Sequence, residues 1–223
     1  MNVIVVAYYT KGSLYEEHVR NLIDSLKLYN VPYRVVGIDN KGSWYRNMQY
    51  KPTFLKQMLE ELHPAPIVYV DADAVVCREP TYFDQLATDK KISLSAHILD
   101  HNLYRRKGTP SELLSGTVFL QNDEKCKELV HQWILKCAED PKLWDQRALQ
   151  WVMEQPENKR CFHNLPGEYC MIFDYMSGRI KNPVIQHFQA SRVYRNTAGQ
   201  RNFDTDTPRV VTKNGVLKIR RIH

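Results

Sequence analysis

Two carboxylates one residue apart, Asp71 and Asp73, interrupt a run that is otherwise apolar. Ile67, Val68, Tyr69 and Val70 stand ahead of them and Ala74, Val75 and Val76 behind. Adjacent carboxylates at a buried position repel each other and are hard to desolvate unless a cation lies between them. Hard divalent cations such as Mg2+ and Mn2+ take carboxylate oxygens and often keep phosphate oxygens as further ligands. A solvated turn, the commonplace setting of Asp-x-Asp, has no need of four apolar residues leading into it. The chemistry indicated is a metal-diphosphate site.

Positioning such a pair requires a strand that ends at the right place. The run from Ile67, led in by Pro64 and Pro66, predicts a fully buried central strand. Its carboxyl end, in an open α/β sheet, lies on the edge where ligands bind. The chain before it supplies the neighbours: a β-branched strand over 2–7 followed by a loop from Tyr8 to Ser13. A helix capped by Ser13 comes next, then a second strand over 33–38 and a polar loop. A helix opening at Lys51-Pro52 closes this half. Strand, helix, strand, helix, strand with short connections predicts right-handed crossovers and a mostly parallel sheet. No Gly-x-Gly-x-x-Gly marks a dinucleotide site.

Downstream the pattern predicts a strand over 92–98 and a basic loop carrying Arg105, Arg106 and Lys107. Ser115-Gly116 reads as a tight turn into a strand. Helices follow, capped by Asp123 and opening at Trp144-Asp145-Gln146, with short strands over 161–165 and 183–188 and a terminal hairpin around Asn214-Gly215. We expect one α/β domain: a nucleotide-binding half over 1–76, a second half over 77–195, and a tail over 196–223.

The 223 residues are enough for a proper core, and 25% charged residues is ordinary for a soluble protein. The net charge of +6 suits anionic ligands or an anionic surface. Five cysteines with no C-x-x-C pair read as free thiols. With no apolar leader and no transmembrane segment, a cytoplasmic protein is expected, with peripheral attachment to a membrane surface as the variant.

Six blocks in order, VIVVAYYT, VYVDADAVV, LLSGTVFL, WDQRALQ, LPGEYC and VIQHF, resemble the GT-A-fold glycosyltransferases. The likeness is to the glycogenin and lipopolysaccharide galactosyltransferase type and related nucleotide-diphosphosugar transferases. It implies a Rossmann-like sheet and transfer from a nucleotide-diphosphate sugar, UDP by family expectation, to an acceptor hydroxyl with Mn2+ or Mg2+. Retention at the anomeric carbon is the family's leaning. By position it makes Asp71, Asp73 and His187 the metal ligands. Ala7, Tyr8 and Thr10 would line the base and ribose, with Tyr9 or Tyr15 stacking on the base. Lys51 and Arg192 would meet the phosphates, and Ala72, Ser115 and Gly116 the donor. Asp145 would hold the sugar hydroxyls and Gln146 would sit near the anomeric carbon. Two departures stand out: Leu114 replaces the asparagine that commonly precedes the small-Gly pair, and Ala190 and Val193 break the late His-x-x-Gly-x-x-Lys.

If the reaction inverts, Asp145 is the expected base, with Asp100 and Glu168 behind it. Rival readings are a haloacid-dehalogenase-like phosphatase, which shares an apolar strand ending in Asp-x-Asp, and a non-catalytic nucleic-acid or anionic-surface binder. The second draws on Arg105-Arg106-Lys107 and on the tail from Lys218 to Arg221. Between these readings stands an anionic acceptor (nucleic acid, lipid-linked sugar or polysaccharide) held by the basic segments of an enzyme.

Overall fold

In the computed structural model, residues 2–104 and 107–190 are described, together with the backbone of strands 209–213 and 216–220. The first half follows its pattern. Strands β1 (Ile4–Thr10), β2 (Tyr33–Ile38) and β3 (Ile67–Val70) pair in parallel, with Ala7 opposite Val35 and Val6 opposite Tyr69. Helix α1 (Leu14–Leu28) connects β1 to β2, and the Ser13 hydroxyl accepts from the Tyr15 amide at its start. Helix α3 (Lys51–Glu61), with Pro52 in its first turn, leads back to β3.

Alternation along the strands covers the sheet on both faces, as parallel pairing requires. Val6, Tyr8 and Tyr69 pack with Phe54, Leu55 and Met58 of α3 and with Trp133 and Leu149. Val5, Ala7, Val68 and Val70 point the other way, against Leu22 and Leu26 of α1 and Phe83. Trp133 lies on α5 (Glu124–Glu139), Leu149 on α6 (Asp145–Glu154) and Phe83 on α4 (Tyr82–Thr88).

The second half adds antiparallel strands. Strand β6 (Glu112–Leu120) lies antiparallel to β3, with Val70 opposite Thr117, and pairs on its other side with β5 (Leu94–Leu99). With β7 (Phe162–Asn164) parallel to β5, the order is β2-β1-β3-β6-β5-β7. A smaller sheet, β4 (Ala74–Val76), β9 (Ile185–His187) and β8 (Met171–Ile172), stands beside it. The last two strands, β10 (Arg209–Lys213) and β11 (Val216–Arg220), form the expected antiparallel hairpin, and its Asn214-Gly215 turn lies outside the described residues.

Four local expectations need correcting. Strand β1 continues through Tyr8 to Thr10, because β2 offers partners as far as Ile38. The polar loop before Lys51 contains a helix, α2 (Trp44–Gln49), capped by the Ser43 side chain; six residues are too few for an apolar period to show. Ser115-Gly116 is no turn but lies inside β6, where the pairing with β5 slips between Ala96 and His97. The apolar stretch 67–76 is two strands, since the chain turns at Asp71–Asp73 to leave one sheet for the other, closed by the Ala74 amide on the Asp71 carbonyl at 3.0 Å. No helix among the described residues is long and apolar enough to cross a membrane.

Candidate active site

The turn between β3 and β4 holds both carboxylates at the junction of the sheets, and cross-strand pairing brings the third group. Ala74 stands opposite His187 on β9, so the imidazole arrives beside Asp71 and Asp73. One ligand atom from each of these three residues lies within 4.8 Å of the others. The amide of Ala190 donates to Asp73 Oδ2 at 2.7 Å, and that of Phe188 to the Asp73 carbonyl at 3.2 Å. The end of β9 is thereby tied to the turn.

The donor set fits a hard divalent cation. Burial raises the pKa of Asp73, Asp71 raises it further, and His187 and the Ala190 amide oppose the shift. Burial also lowers the pKa of His187 against the pull of Asp71 and Asp73, leaving a neutral ring with a lone pair to give. His187 Nε2 lies 2.8 Å from the Thr117 hydroxyl, an outer contact that orients the ring. Asp71 Oδ1 is taken by the Tyr69 hydroxyl at 2.9 Å and Lys51 Nζ at 3.1 Å. Its Oδ2 faces Gly116, where an added Cβ would come within 3.2 Å of it and 3.1 Å of His187 Nδ1. Only glycine keeps that space open.

Lys51 is the hub of the floor. Its ammonium is buried and reaches Asp145 Oδ2 at 2.8 Å, Asp71 Oδ1 at 3.1 Å, and the carbonyl and hydroxyl of Ser115 at 3.2 and 3.1 Å. Burial pulls its pKa down, but Asp145 and then Asp71 outweigh that and leave it raised. The expected phosphate contact changes, since the donors of Lys51 are already directed at two carboxylates and Ser115. Asp145 is buried, and its Oδ2 accepts from the Ser115 hydroxyl at 2.9 Å as well as from Lys51. It does not cap α6; that position belongs to Trp144.

Lys51, Asp71, Asp73, Ser115 and Asp145 line one cavity of about 670 Å³, within the range of small-molecule sites, whereas His187 and Gly116 are absent from its lining. Tyr8, Thr10, Tyr9, Tyr15, Ala72, Ser115 and Gln146 are on its wall. Ala7 is not: it is fully buried under α1, because alternation turns it away from Tyr8. Tyr8 is committed as well, its hydroxyl donating to the Asn47 carbonyl at 2.8 Å and its ring packed among Tyr50, Phe54 and Tyr69. Asp100 and Glu168 are absent from the lining, and Asp100 accepts from Asn102 instead. Arg192 lies outside the described residues, as do Arg105, Arg106 and the side chains of the tail.

Several wall residues carry no local pattern that points to a site. Trp44 and Asn47 come from the short α2, whose cap at Ser43 was the one readable signal. Trp44 meets Trp144 edge to face at 6.1 Å, and Gln49 donates to the carbonyls of Asp140 and Leu143, both at 2.8 Å. Glu112, His101 and Tyr175 form the far wall. Gln146 joins them to the floor, accepting from the Ser115 amide at 3.3 Å and donating to Glu112 Oε1 at 2.6 Å.

Comparison with known proteins agrees with this geometry. The family model described as nucleotide-diphospho-sugar transferase matches residues 9–214. Among curated proteins none matches the sequence. A glycosyltransferase involved in glycosylation of the major capsid of PBCV-1 superposes with a TM-score of 0.66 at 12% identity, covering 88% of this chain and 98% of that one. The apo form of the glycosyltransferase GlyE of Streptococcus pneumoniae TIGR4 gives 0.56 at 14%, with 89% of this chain covering 60% of that one. Mouse xyloside xylosyltransferase 1 gives 0.53 at 13%, with 85% and 98% covered. These likenesses concern the fold, which is of the GT-A type.

Proposed function

Since this chain belongs to the nucleotide-diphospho-sugar transferase family and is a glycosyltransferase, we propose that it moves a sugar from a UDP-sugar to an acceptor hydroxyl with Mn2+ or Mg2+ held by Asp71, Asp73 and His187. The observation that carries this is the Asp71–Asp73–His187 cluster on the edge of a nucleotide-sized cavity. A bound cation there would act as Lewis acid on the leaving diphosphate.

The chain's own residues do the rest. Thr10, Tyr15 and Asn40 at the open end of β1 and β2 receive the nucleoside, with Tyr9 or Tyr15 against the base. Lys51 holds Asp71 and Asp145 in fixed positions, so that no side chain must reorganise when charge develops. Ser115, in a strand whose next residue has no side chain, lets the sugar approach the backbone closely. Asp145 and Gln146 face the sugar. The family match places the chain with transferases rather than with haloacid-dehalogenase-like phosphatases, and the metal cluster leaves a purely basic surface binder without an explanation for it.

The test is a thermal-shift and hydrolysis screen of nucleotide sugars with and without Mn2+, repeated on Asp73→Asn. Stabilisation by UDP that needs Mn2+ and disappears in the variant is the expected result. Equal turnover of every donor by the variant, or no binding by the parent, would end the proposal.

A further inference from the structure

We propose that the far end of the cavity selects its acceptor by charge: Glu112 and Asp174 admit an uncharged glycan through its hydroxyl groups and turn anionic acceptors away. This rests on the transferase reading above and departs from the anionic acceptor that the net charge suggests. It starts from a contrast between the chain and its cavity.

The chain carries a net charge of +6, yet the cavity is acidic. Asp71, Asp73, Asp145, Asp174 and Glu112 are on its lining, and Lys51 is the one lysine or arginine among the described lining residues. The Lys51 ammonium is committed to Asp145 and Asp71. A divalent cation between Asp71 and Asp73 would be matched by the diphosphate of the donor. Glu112 and Asp174 stand outside that balance, and nothing on the donor side of the site requires their charge.

Strand order assigns these two carboxylates to the acceptor. Thr10, Tyr15 and Asn40 mark the nucleoside end, beside β1 and β2, and the Asp71–Asp73 turn follows β3, the next strand in the sheet. Strands β6 and β5 lie beyond, with Glu112 opposite Leu99. Two strand spacings, about 10 Å, separate β3 from β5. The slip between Ala96 and His97 leaves Ser115, Gly116 and Thr117 without partners on β5, so contacts, not strand alternation, fix the direction of Glu112. Gln146 donates to its Oε1 at 2.6 Å, and His101 Nε2 lies 3.2 Å from its Oε2. The Tyr175 hydroxyl, 2.9 Å from His101 Nδ1, holds the ring from behind.

The chemistry of this end suits a sugar. The Glu112 side chain is 33% exposed, and Asp174 is exposed beyond β8. An ionised carboxylate only accepts hydrogen bonds, at about four lone-pair sites; with Gln146 and His101 on two of them, Glu112 keeps two for hydroxyl donors. Leu99, Leu114 and Ile172 share this part of the lining, and Leu114 is the residue that departs from the family's asparagine. A pyranose matches both features, with C–H groups on its faces and hydroxyl donors around its rim. A phosphate, sulfate or carboxylate group brings further negative charge and further acceptors instead. Like charges set against each other at a binding site suppress the wrong partner.

The test takes the UDP-sugar turned over fastest in the donor screen above, with Mn2+, and offers acceptors in matched pairs: methyl glucoside with methyl glucuronide, and methyl galactoside with methyl galacturonide. UDP release above donor hydrolysis reads transfer. The parent is expected to use the neutral member of a pair about tenfold better or more, and the gap should narrow as salt is raised. Glu112→Gln combined with Asp174→Asn should narrow it at low salt, and Asp174→Lys should narrow it further. Each result is a ratio within one protein, so altered donor handling cancels. Preference of the parent for the uronides, no stimulation by either neutral glycoside, or an unchanged ratio in both variants overturns the proposal. Absence of UDP binding by the parent would instead strike the transferase reading itself.

Discussion

Lys51 Nζ lies 2.8 Å from Asp145 Oδ2 and 3.1 Å from Asp71 Oδ1, so one buried ammonium joins the start of α6 to the Asp71–Asp73 turn. Removing one partner of a buried ion pair leaves an uncompensated charge and costs about 3–5 kcal/mol. Lys51→Met is expected to lose stability of that order in urea unfolding. Lys51→Met combined with Asp145→Asn should recover part of it. A single variant as stable as the parent would show that the pair holds nothing together.

Gly116→Ala tests the open space beside Asp71 and His187, where we propose the cation binds. Its Cβ would lie 3.0–3.2 Å from His187 and Asp71, tighter than ordinary contacts, while the strand pairing can persist. Mn2+ affinity measured by calorimetry should fall by about tenfold or more, by analogy with outer-shell changes at metal sites, with little change in melting temperature. Unaltered affinity would mean the cation sits elsewhere.

Thr117→Val removes the hydroxyl that meets His187 Nε2 at 2.8 Å and keeps the side-chain shape. The imidazole loses its orienting contact, and Mn2+ affinity should drop roughly 10–100-fold. Serine at this position should restore it. If valine and serine behave alike, the hydroxyl does not orient the ring.

Acid should destabilise the fold in a particular window. Burial lowers the pKa of His97, whose Nδ1 lies 2.7 Å from the Leu165 carbonyl, and of His18. Below about 6.5, the ordinary value, the unfolded chain takes up protons that the folded one refuses, so stability falls as pH drops. The loss levels off once pH passes below the folded values. Unfolding curves between pH 7.5 and 5 (a span of about one to two units around that pKa) should show this slope, and it should be shallower in His97→Asn. An unchanged slope in that variant would assign the effect to other groups.

The thiols should be inert in the native protein. Burial pushes Cys126 and Cys170 up to about 12 and Cys77 up to about 11, and the thiolate is the reactive form. Iodoacetamide at mild alkaline pH should leave these three unmodified by mass spectrometry, and urea should open them all. Rapid native labelling of Cys126 or Cys170 would contradict their packing.

What the chain declares locally, it declares well. The Ser13 and Asp123 caps and the apolar face of α3 are short-range patterns, and each formed where the residues said it would; the β-branched runs of β1 and β3 formed strands whose ends the pairing then set. Asp71 and Asp73 were legible for the same reason, as charges set against an apolar run. Residues 67–76 looked like one strand because apolar composition does not say which sheet a residue joins.

Only the tertiary structure decided the rest of the site. His187 reaches Asp73 through the pairing of β9 with β4, and register between strands so far apart in the chain is set by packing, not by either segment alone. Lys51 was expected to meet the phosphates, because nothing near it in sequence carries the two carboxylates that engage it in its burial. Glu112 carries no local pattern of its own, and β6 sets it beside Gln146 and His101. Apolar periodicity belongs to a segment, whereas partners for buried charge come from the whole fold.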